Sequence, residues 1–528
     1  MLACNTLHLS TGKSMTKNQL RQNRRMRKRD SASPARNLSV EQQTLHPADR
    51  QPLLSPTRVR EALRQASILQ RTDRLPEARA LYLRVLTAQP RHRAALKSCA
   101  VVLFQLDEIR EAVGLLRRAI ALDGTDAGAH NDLGNILQAA GHADEAIASY
   151  LRAIALAPET PEFCLNLGNS QRESGDFDAA LQNYERALQL RPDYAKAAFQ
   201  RGLALHALDR LDEAAKIFSG LTRNDPRFAD AHLALGNVLY ALGQLDEARN
   251  AFETTAKLKP AMLDALFEVG KPRHVHLHFD RGDPGAALAA CDAFLARRPG
   301  HSCAVSLKAL ALRDLGNPEV ARALIGLDRF FWQHRLETPD GFADLTAFNE
   351  ALARHVQAHP TLVDARESYS MFGGKNTGEM LTEATGPIAA FEQMIDRAVE
   401  AYRDALPADS NHPFVANRPE RWQLSAWGVV LNAGDNQVPH IHPSAWLSGV
   451  YYVRLPKVVA APDGEAAGWI EFGKPYWDFE IRAELEVKLV QPKEGLVLLF
   501  PSYVFHRTLP FEGEEDRISI AFDILRDD

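Results

Sequence analysis

"DLGNILQAAGHADEAIASYLRAIALAP" (Asp132–Pro158) is apolar at helical spacing, is broken once at "AAGH", and ends on proline. Apolar residues recurring every three to four positions predict two amphipathic helices joined by a short turn. The pattern repeats along the chain. Pro90, Gly124, Pro158, Pro192, Pro226 and Pro260 stand at intervals of 34 residues. Ala66, Ala100, Gly134, Gly168, Gly202 and Gly236 keep the same interval, as do Ala78, Ala112, Ala146, Ala180, Ala214 and Ala248. Four residues after each of these last comes Tyr82, Leu116, Tyr150, Tyr184, Phe218 or Phe252. Small residues at two fixed positions let paired helices approach closely. The large residue is expected to fill the gap between neighbouring hairpins, and the proline to stop the second helix.

Helix–turn–helix units with this period and these residues resemble the tetratricopeptide repeats. The resemblance implies an all-α solenoid over residues 58–330. After an insertion of roughly five residues the phase resumes at Gly282, Ala287 and Pro299, then at Gly316 and Ala321, giving about eight repeats. Stacked hairpins leave a concave groove, and the resemblance implies a protein or peptide ligand there. Asn135, Asn169 and Asn237 each follow the "LG" of their repeat. By the family's geometry they face the groove, where amides that both donate and accept can hold an extended backbone. The plainer reading is an ordinary polar surface residue.

At 528 residues the chain exceeds a single typical domain. A formal net charge of −5 excludes a whole-molecule electrostatic binder of nucleic acid. No apolar run approaches the ~18 residues of a membrane span, so no membrane partner is expected. Five cysteines, an odd number with no CxxC pair, fit a reducing compartment, and a cytoplasmic location is the expectation. Residues 1–55 read as a disordered basic tail, with eight Lys/Arg and no acid between Lys13 and Arg29. Such a tail is either a solvated segment, an anionic contact such as nucleic acid, or an Arg-rich presequence.

Composition shifts beyond the repeats. Five of the six tryptophans lie after residue 420. "GFADLTAFNEALARHVQAH" (Gly341–His359) and "GPIAAFEQMIDRAVEAYRDAL" (Gly386–Leu406) read as helices. From residue 422 the apolar period changes to two, in short runs such as "WLSGVYYVRLP" and "RISIAFDIL" separated by Gly, Pro and Asp. This predicts a sandwich or closed barrel.

One stretch there places chemistry at the mouth of a strand: "PHIHPSAWLSGVYYV" (Pro439–Val453). Residues i and i+2 of an extended chain share a face, so His440 and His442 can turn to one point. Two ligands alone do not hold a reactive metal. "LFPSYVFHRTLPF" (Leu499–Phe511) supplies His506 from the end of another strand, and Arg517 and Ser519 follow on "RISIAFDI". A buried arginine needs an anion, and a dicarboxylate that also chelates the metal would provide it.

This order of residues resembles the 2-oxoglutarate and iron(II) dependent oxygenases, over roughly residues 340–528. It is closest to a bacterial and phage branch of which some members carry tetratricopeptide repeats. The lead-in "GGKNTGEML" (Gly373–Leu381) fits the same branch. The resemblance implies a mainly β double-stranded β-helix, or jelly roll, with flanking helices. It also implies Fe(II), 2-oxoglutarate as co-substrate, and O2. His440 then matches the first metal ligand and His506 the distal one. Arg517 matches the residue that pairs with the far carboxylate of 2-oxoglutarate, with Ser519 as its helper. His442 stands where most of the superfamily has Asp or Glu, a departure from the two-histidine, one-carboxylate triad. Either three histidines bind the metal, which is the preferred reading, or a carboxylate such as Asp435 or Glu471 completes the set.

The functional expectation is a hydroxylase acting on a peptide or protein side chain recruited by the repeats. The alternatives are a non-catalytic scaffold with a degenerate oxygenase domain, and a three-histidine dioxygenase of cupin type without 2-oxoglutarate. Arg517 argues against the second. Tyr451, Tyr452 and Trp427 either line the co-substrate pocket or fill the core. "HVHLH" (His274–His278) is expected to be exposed helix surface beside the insertion.

Overall fold

The computed structural model describes residues 55–527 apart from 269–271, 365–370, 383, 408–410, 462–465 and 476–480. The basic tail expected at residues 1–55 lies, save for Ser55, outside the described residues. Two compact bodies are present, one ending at Ile217 and one running from Phe218.

The first body is a run of helical hairpins, beginning Pro56–Arg71 with Leu75–Ala88 and Arg93–Gln105 with Ile109–Leu122. The next two are Ala127–Ala139 with Ala143–Leu156 and Pro161–Glu173 with Phe177–Leu190. The tight turn inside each hairpin needs one residue with positive φ. Asp73, Asp107, Gly141, Gly175, Asp209 and Gly243 take that place in six successive repeats, with φ between 58° and 88°. Glycine adopts this conformation without penalty, and aspartate is among the few other residues that tolerate it.

The small residue of each first helix has a definite job. A methyl group added at Gly134 would meet the Tyr150 ring at 2.6 Å, and one at Gly168 would meet Tyr184 at 2.7 Å. The aromatic ring therefore packs against the glycine of its own hairpin, and Tyr150 shares an apolar cluster with Leu167 of the next. The hairpin closes on a ring because the opposing helix gives up its Cβ.

In the second body the hairpins continue through Ala229–Ala241, Leu245–Leu258, Pro260–Glu268, Arg273–Asp280, Pro284–Leu295, Ser302–Asp314 and Pro318–Ile325. The expected resumption of phase is visible in Gly282 and Gly316, which take φ of 68° and 77° ahead of the helices starting at Pro284 and Pro318. "HVHLH" falls in the helix Arg273–Asp280, as expected, but its exposure does not follow. His274 is buried, edge-on to Phe267 and Phe252 at 5.3 and 6.4 Å between centroids. The insertion packs inward because Val275, Leu277 and Phe279 alternate with the histidines and are themselves buried.

Strands follow: β1 (Trp332–Arg335), β2 (Val363–Asp364), β3 (Met371–Phe372), β4 (Lys375–Asn376), β5 (Trp422–Leu431) and β6 (Asn436–Gln437). Then come β7 (Leu447–Arg454), β8 (Ile470–Phe472), β9 (Lys488–Val490), β10 (Leu496–Pro501), β11 (His506–Thr508) and β12 (Arg517–Arg526). A seven-stranded antiparallel sheet runs β1-β10-β7-β12-β5-β4-β2, beside a three-stranded sheet β11-β8-β9 and the pair β3-β6. The architecture is a helical solenoid followed by a jelly-roll domain with flanking helices. The two helices expected before the strands are Leu345–Gln357 and Pro387–Ala405.

Register sorts the side chains of the large sheet. Opposed pairs Ser519↔Tyr452, Ser519↔Val429, Ala521↔Trp427 and Asp523↔Ser448 place these residues on one face with Arg517. The other face carries Tyr451, whose hydroxyl donates to Asn349 Oδ1 at 2.7 Å, and packs on the flanking helices through Phe348 and Phe391. Among the described residues no helix is long and apolar enough to cross a membrane.

The burial of His274 generates a pH dependence. Burial, with His278 nearby, pulls its pKa from an ordinary 6.5 down to about 3. The unfolded chain therefore takes up a proton that the folded chain refuses. The contribution is fully present above pH ~6.5 and is lost as pH falls through the interval towards 3. The stability of the wild-type protein should fall between pH 6.5 and 4.5, with His274 contributing up to about 1.4 kcal/mol per pH unit. His274→Leu should flatten that part of the slope in urea melts. Parallel curves for the two proteins would show that His274 is not held neutral.

Candidate metal centre

His440 and His442 lie on the extended segment between β6 and β7, and His506 opens β11. A β-bridge joins two of them: His440 N donates to His506 O at 3.0 Å and His506 N to His440 O at 3.1 Å. Ring centroids are 4.3 Å apart for His440–His506 and 5.2 Å for each of the other two pairs. One nitrogen from each ring falls in a group whose members all lie within 4.8 Å of one another.

The hydrogen bonds identify those nitrogens. His440 Nδ1 sits 2.7 Å from the Val438 carbonyl and His506 Nδ1 sits 3.0 Å from the Val504 carbonyl. A carbonyl only accepts, so each Nδ1 carries the proton and each Nε2 is left with its lone pair. His442 Nδ1 lies 2.7 and 2.8 Å from the two oxygens of Asp523, which fixes the same tautomer. Burial, reinforced by the neighbouring imidazoles, lowers His440 to about 4 and His506 well below the ordinary histidine range. Both are neutral at physiological pH, the state a metal requires of them.

Asp523 is the residue the sequence reading missed. It shares a strand face with Arg517, Ser519 and Ala521, so the alternation of "RISIAFD" already carried the signal. Ser448, its register partner on β7, donates to Asp523 Oδ1 at 2.7 Å. The two carboxylates considered as alternative ligands are engaged elsewhere. Asp435 accepts from Asn432 N and Nδ2 at 2.7 and 3.1 Å. Glu471 pairs in fork geometry with Arg507 at 2.5 and 3.1 Å. Among the described residues the one metal-capable cluster is the three histidines.

The histidines open on a cavity of about 520 Å³, whose walls include Trp427, Val450, Phe500, Arg517, Ser519 and Asp523. Arg517 is 1% exposed, and Nη1 donates to Ser519 Oγ at 3.3 Å. Its Nε has no partner, and no carboxylate among the described residues pairs with it. The buried Tyr452 sits beside it, its ring 5.3 Å from the Arg517 guanidinium. Burial pushes the Tyr452 phenol up to about 12, despite that cation. A buried guanidinium with no carboxylate partner is complementary to an anion. Tyr451, on the opposite face, is a core residue. Trp427 does line the cavity and stacks on His442 at 5.7 Å.

In the repeats, Asn135 is exposed and accepts from Tyr150 at 2.9 Å, and the half-buried Asn169 accepts from Tyr184 at 3.0 Å. Their NH₂ groups remain as donors. An amide-to-amide contact links successive hairpins nearby, from Asn166 Nδ2 to Asn131 Oδ1 at 2.8 Å. Asn237 is only 3% exposed, which takes it out of direct reach of a surface ligand.

A family model described as "Putative 2OG-Fe(II) oxygenase" matches residues 425–523. Tetratricopeptide models match residues 63–127, 165–227 and 273–326, residues 205–265, and residues 127–160. The chain joins tetratricopeptide repeats to a C-terminal domain matched by this oxygenase family. Among solved structures, MamA is 25% identical over 30% of this chain and 94% of its own, with a TM-score of 0.29. YrrB, titled a TPR protein with an unusual peptide-binding site, is 23% identical over 34% and 92%, at 0.30. PilF of Pseudomonas aeruginosa is 20% identical over 38% and 92%, at 0.35. No curated protein matches the chain.

The Asp523 contact predicts that Asp523→Asn weakens divalent metal binding by about 10- to 100-fold, the usual effect of removing a carboxylate behind a ligating histidine. Titration calorimetry with Co(II) measures it. An unchanged affinity would show that the carboxylate does not orient His442.

Proposed function

We propose that the C-terminal domain is a 2-oxoglutarate- and Fe(II)-dependent dioxygenase that hydroxylates a peptide or protein side chain recruited by the repeats. The observation that carries this reading is a coincidence in one cavity. Three histidines able to meet at one metal line it, and Arg517, buried with no carboxylate partner among the described residues, stands in the wall. The residues fit both groups. His440, His442 and His506 would hold Fe(II), for which imidazole is a suitable ligand. Arg517 and Ser519 would hold the far carboxylate of 2-oxoglutarate. When bound, iron with 2-oxoglutarate and O2 supplies the oxidation: the co-substrate loses CO2 and becomes succinate, taking one oxygen atom, and the other enters a C–H bond of the substrate.

The chain's own residues set the conditions. His440 and His506, held neutral by burial, leave donor lone pairs aimed inward without a proton to displace. Asp523 returns, behind His442, the negative charge that an aspartate or glutamate ligand would bring directly. Trp427, Val450 and Phe500 give the cavity apolar walls that limit access of water. In the repeats, Asn135 and Asn169 offer amide donors to a peptide backbone, with their carbonyls already held by tyrosines.

The test is succinate formation from 2-oxoglutarate by purified protein loaded with Fe(II) without oxygen and then exposed to air. Iron-dependent succinate is expected, and should be lost in His506→Ala. Arg517→Ala should raise the 2-oxoglutarate concentration for half-maximal turnover by about tenfold or more, the worth of one charge-assisted pair. Turnover indifferent to 2-oxoglutarate and to Arg517→Ala would instead identify a three-histidine dioxygenase of another kind.

A further inference from the structure

The histidines alternate with residues that belong to a different core. Ile441 sits between His440 and His442, and Phe505 immediately precedes His506. Neighbours in an extended chain point to opposite faces. The imidazoles turn into the cavity. The side chains of Ile441 and Phe505, 6% and 5% exposed, join an apolar cluster with Phe267, Phe294, Cys303 and Leu310. Those four residues come from the closing repeats, in helices Pro260–Glu268, Pro284–Leu295 and Ser302–Asp314.

Hydrogen bonds run between the same parts. Ser302 Oγ donates to the Ala445 carbonyl at 3.0 Å and lies 2.8 Å from Ser502 Oγ. Ser306 Oγ donates to the Tyr503 carbonyl at 2.5 Å. The backbone so held is the one that holds the ligands. The Ser502 carbonyl accepts from His442 N at 3.0 Å, and the Val504 carbonyl fixes His506 Nδ1. Ser302, Ser306, Ser502 and Tyr503 are all buried.

We propose that the closing repeats form the outer wall of the metal centre and position His442 and His506 through Ile441, Phe505 and the Ser502–Tyr503 backbone. The inference rests on the reading of the three histidines as one ligand set. Ile441 and Phe505 act through their neighbours and touch no reacting atom. The coupling is reciprocal by linkage: whatever the repeats contribute to metal affinity, bound metal returns to the stability of the repeats. The closing repeats are therefore part of the site, and a perturbation of their packing alters how the metal is held.

The experiment uses the full chain with Co(II), whose visible absorption reports ligand geometry and whose affinity calorimetry reads. Leu310→Ala, on the repeat side, should weaken Co(II) binding by about tenfold and shift the absorption band, an effect of the size expected for outer-shell support. Leu310→Met should restore both. Leu352→Ala removes an equally buried side chain from the core against the flanking helices, and should leave the band unchanged. Co(II) should also slow amide exchange in Ser302–Asp314. A folded Leu310→Ala protein with wild-type affinity and band overturns the proposal, as does an equal shift in Leu352→Ala. Should Leu310→Ala fail to fold, Ser306→Ala carries the test, with an expected loss of about threefold against none. If His506→Ala binds Co(II) as well as the wild type, the ligand assignment itself falls, a failure visible before any repeat variant is compared.

Discussion

Three imidazoles with centroids 4.3 to 5.2 Å apart crowd one point at the end of the cavity, and each must find a partner for its outward nitrogen. That constraint organises the C-terminal domain. Burial and the neighbouring imidazoles hold His440 and His506 neutral, and each ring has an N–H to place. The fold gives each Nδ1 an acceptor that cannot donate: two backbone carbonyls from strand ends and one carboxylate. The lone pairs are thereby left pointing at a common centre. The β-bridge between His440 and His506 is the means, because it aligns two strand ends that are 66 residues apart in sequence.

Much of this was legible in the sequence, where period and register govern. A 34-residue beat in small residues, aromatics and prolines is enough to place the hairpins. The i, i+2 rule is enough to turn His440 and His442 the same way. What escaped were facts that depend on a third element. Asp523 sits on the same strand face as Arg517, yet its role appears only when β12 lies beside β7 and brings the carboxylate to His442. The burial of His274 depends on Phe252 and Phe267 from preceding helices. The repeat aromatics were expected between hairpins. They also pack against the glycine of their own, a matter of helix crossing geometry that spacing alone does not express.

The same alternation that aims the histidines explains why a solenoid end and a jelly roll share one compact body. A strand end that turns histidines inward must turn its other residues outward, and here those are Ile441 and Phe505. Left in water they would be an exposed apolar strip beside the site. Covered by Phe294, Cys303 and Leu310, they become a core whose packing restrains the very segment that carries the histidines. Side chains in such a core sit in close contact, so a displacement on the repeat side is passed on rather than absorbed.

Charge also bears on the proposed dicarboxylate. A divalent metal held by the three histidines, with Arg517 in the wall and Asp523 behind His442, would leave this end of the cavity two positive charges in excess. A carboxylate ligand in place of His442, with no Asp523, would give the same total, so the exchange of positions preserves the electrostatics while moving the charge one bond network outward. Two excess charges at separated points, one at the metal and one at Arg517, match a dianion with carboxylates at both ends better than they match a monoanion. The free Nε of Arg517 adds a geometric condition to the electrostatic one: an anion confined to the metal end would leave it unmet in the wall, which is the costlier arrangement.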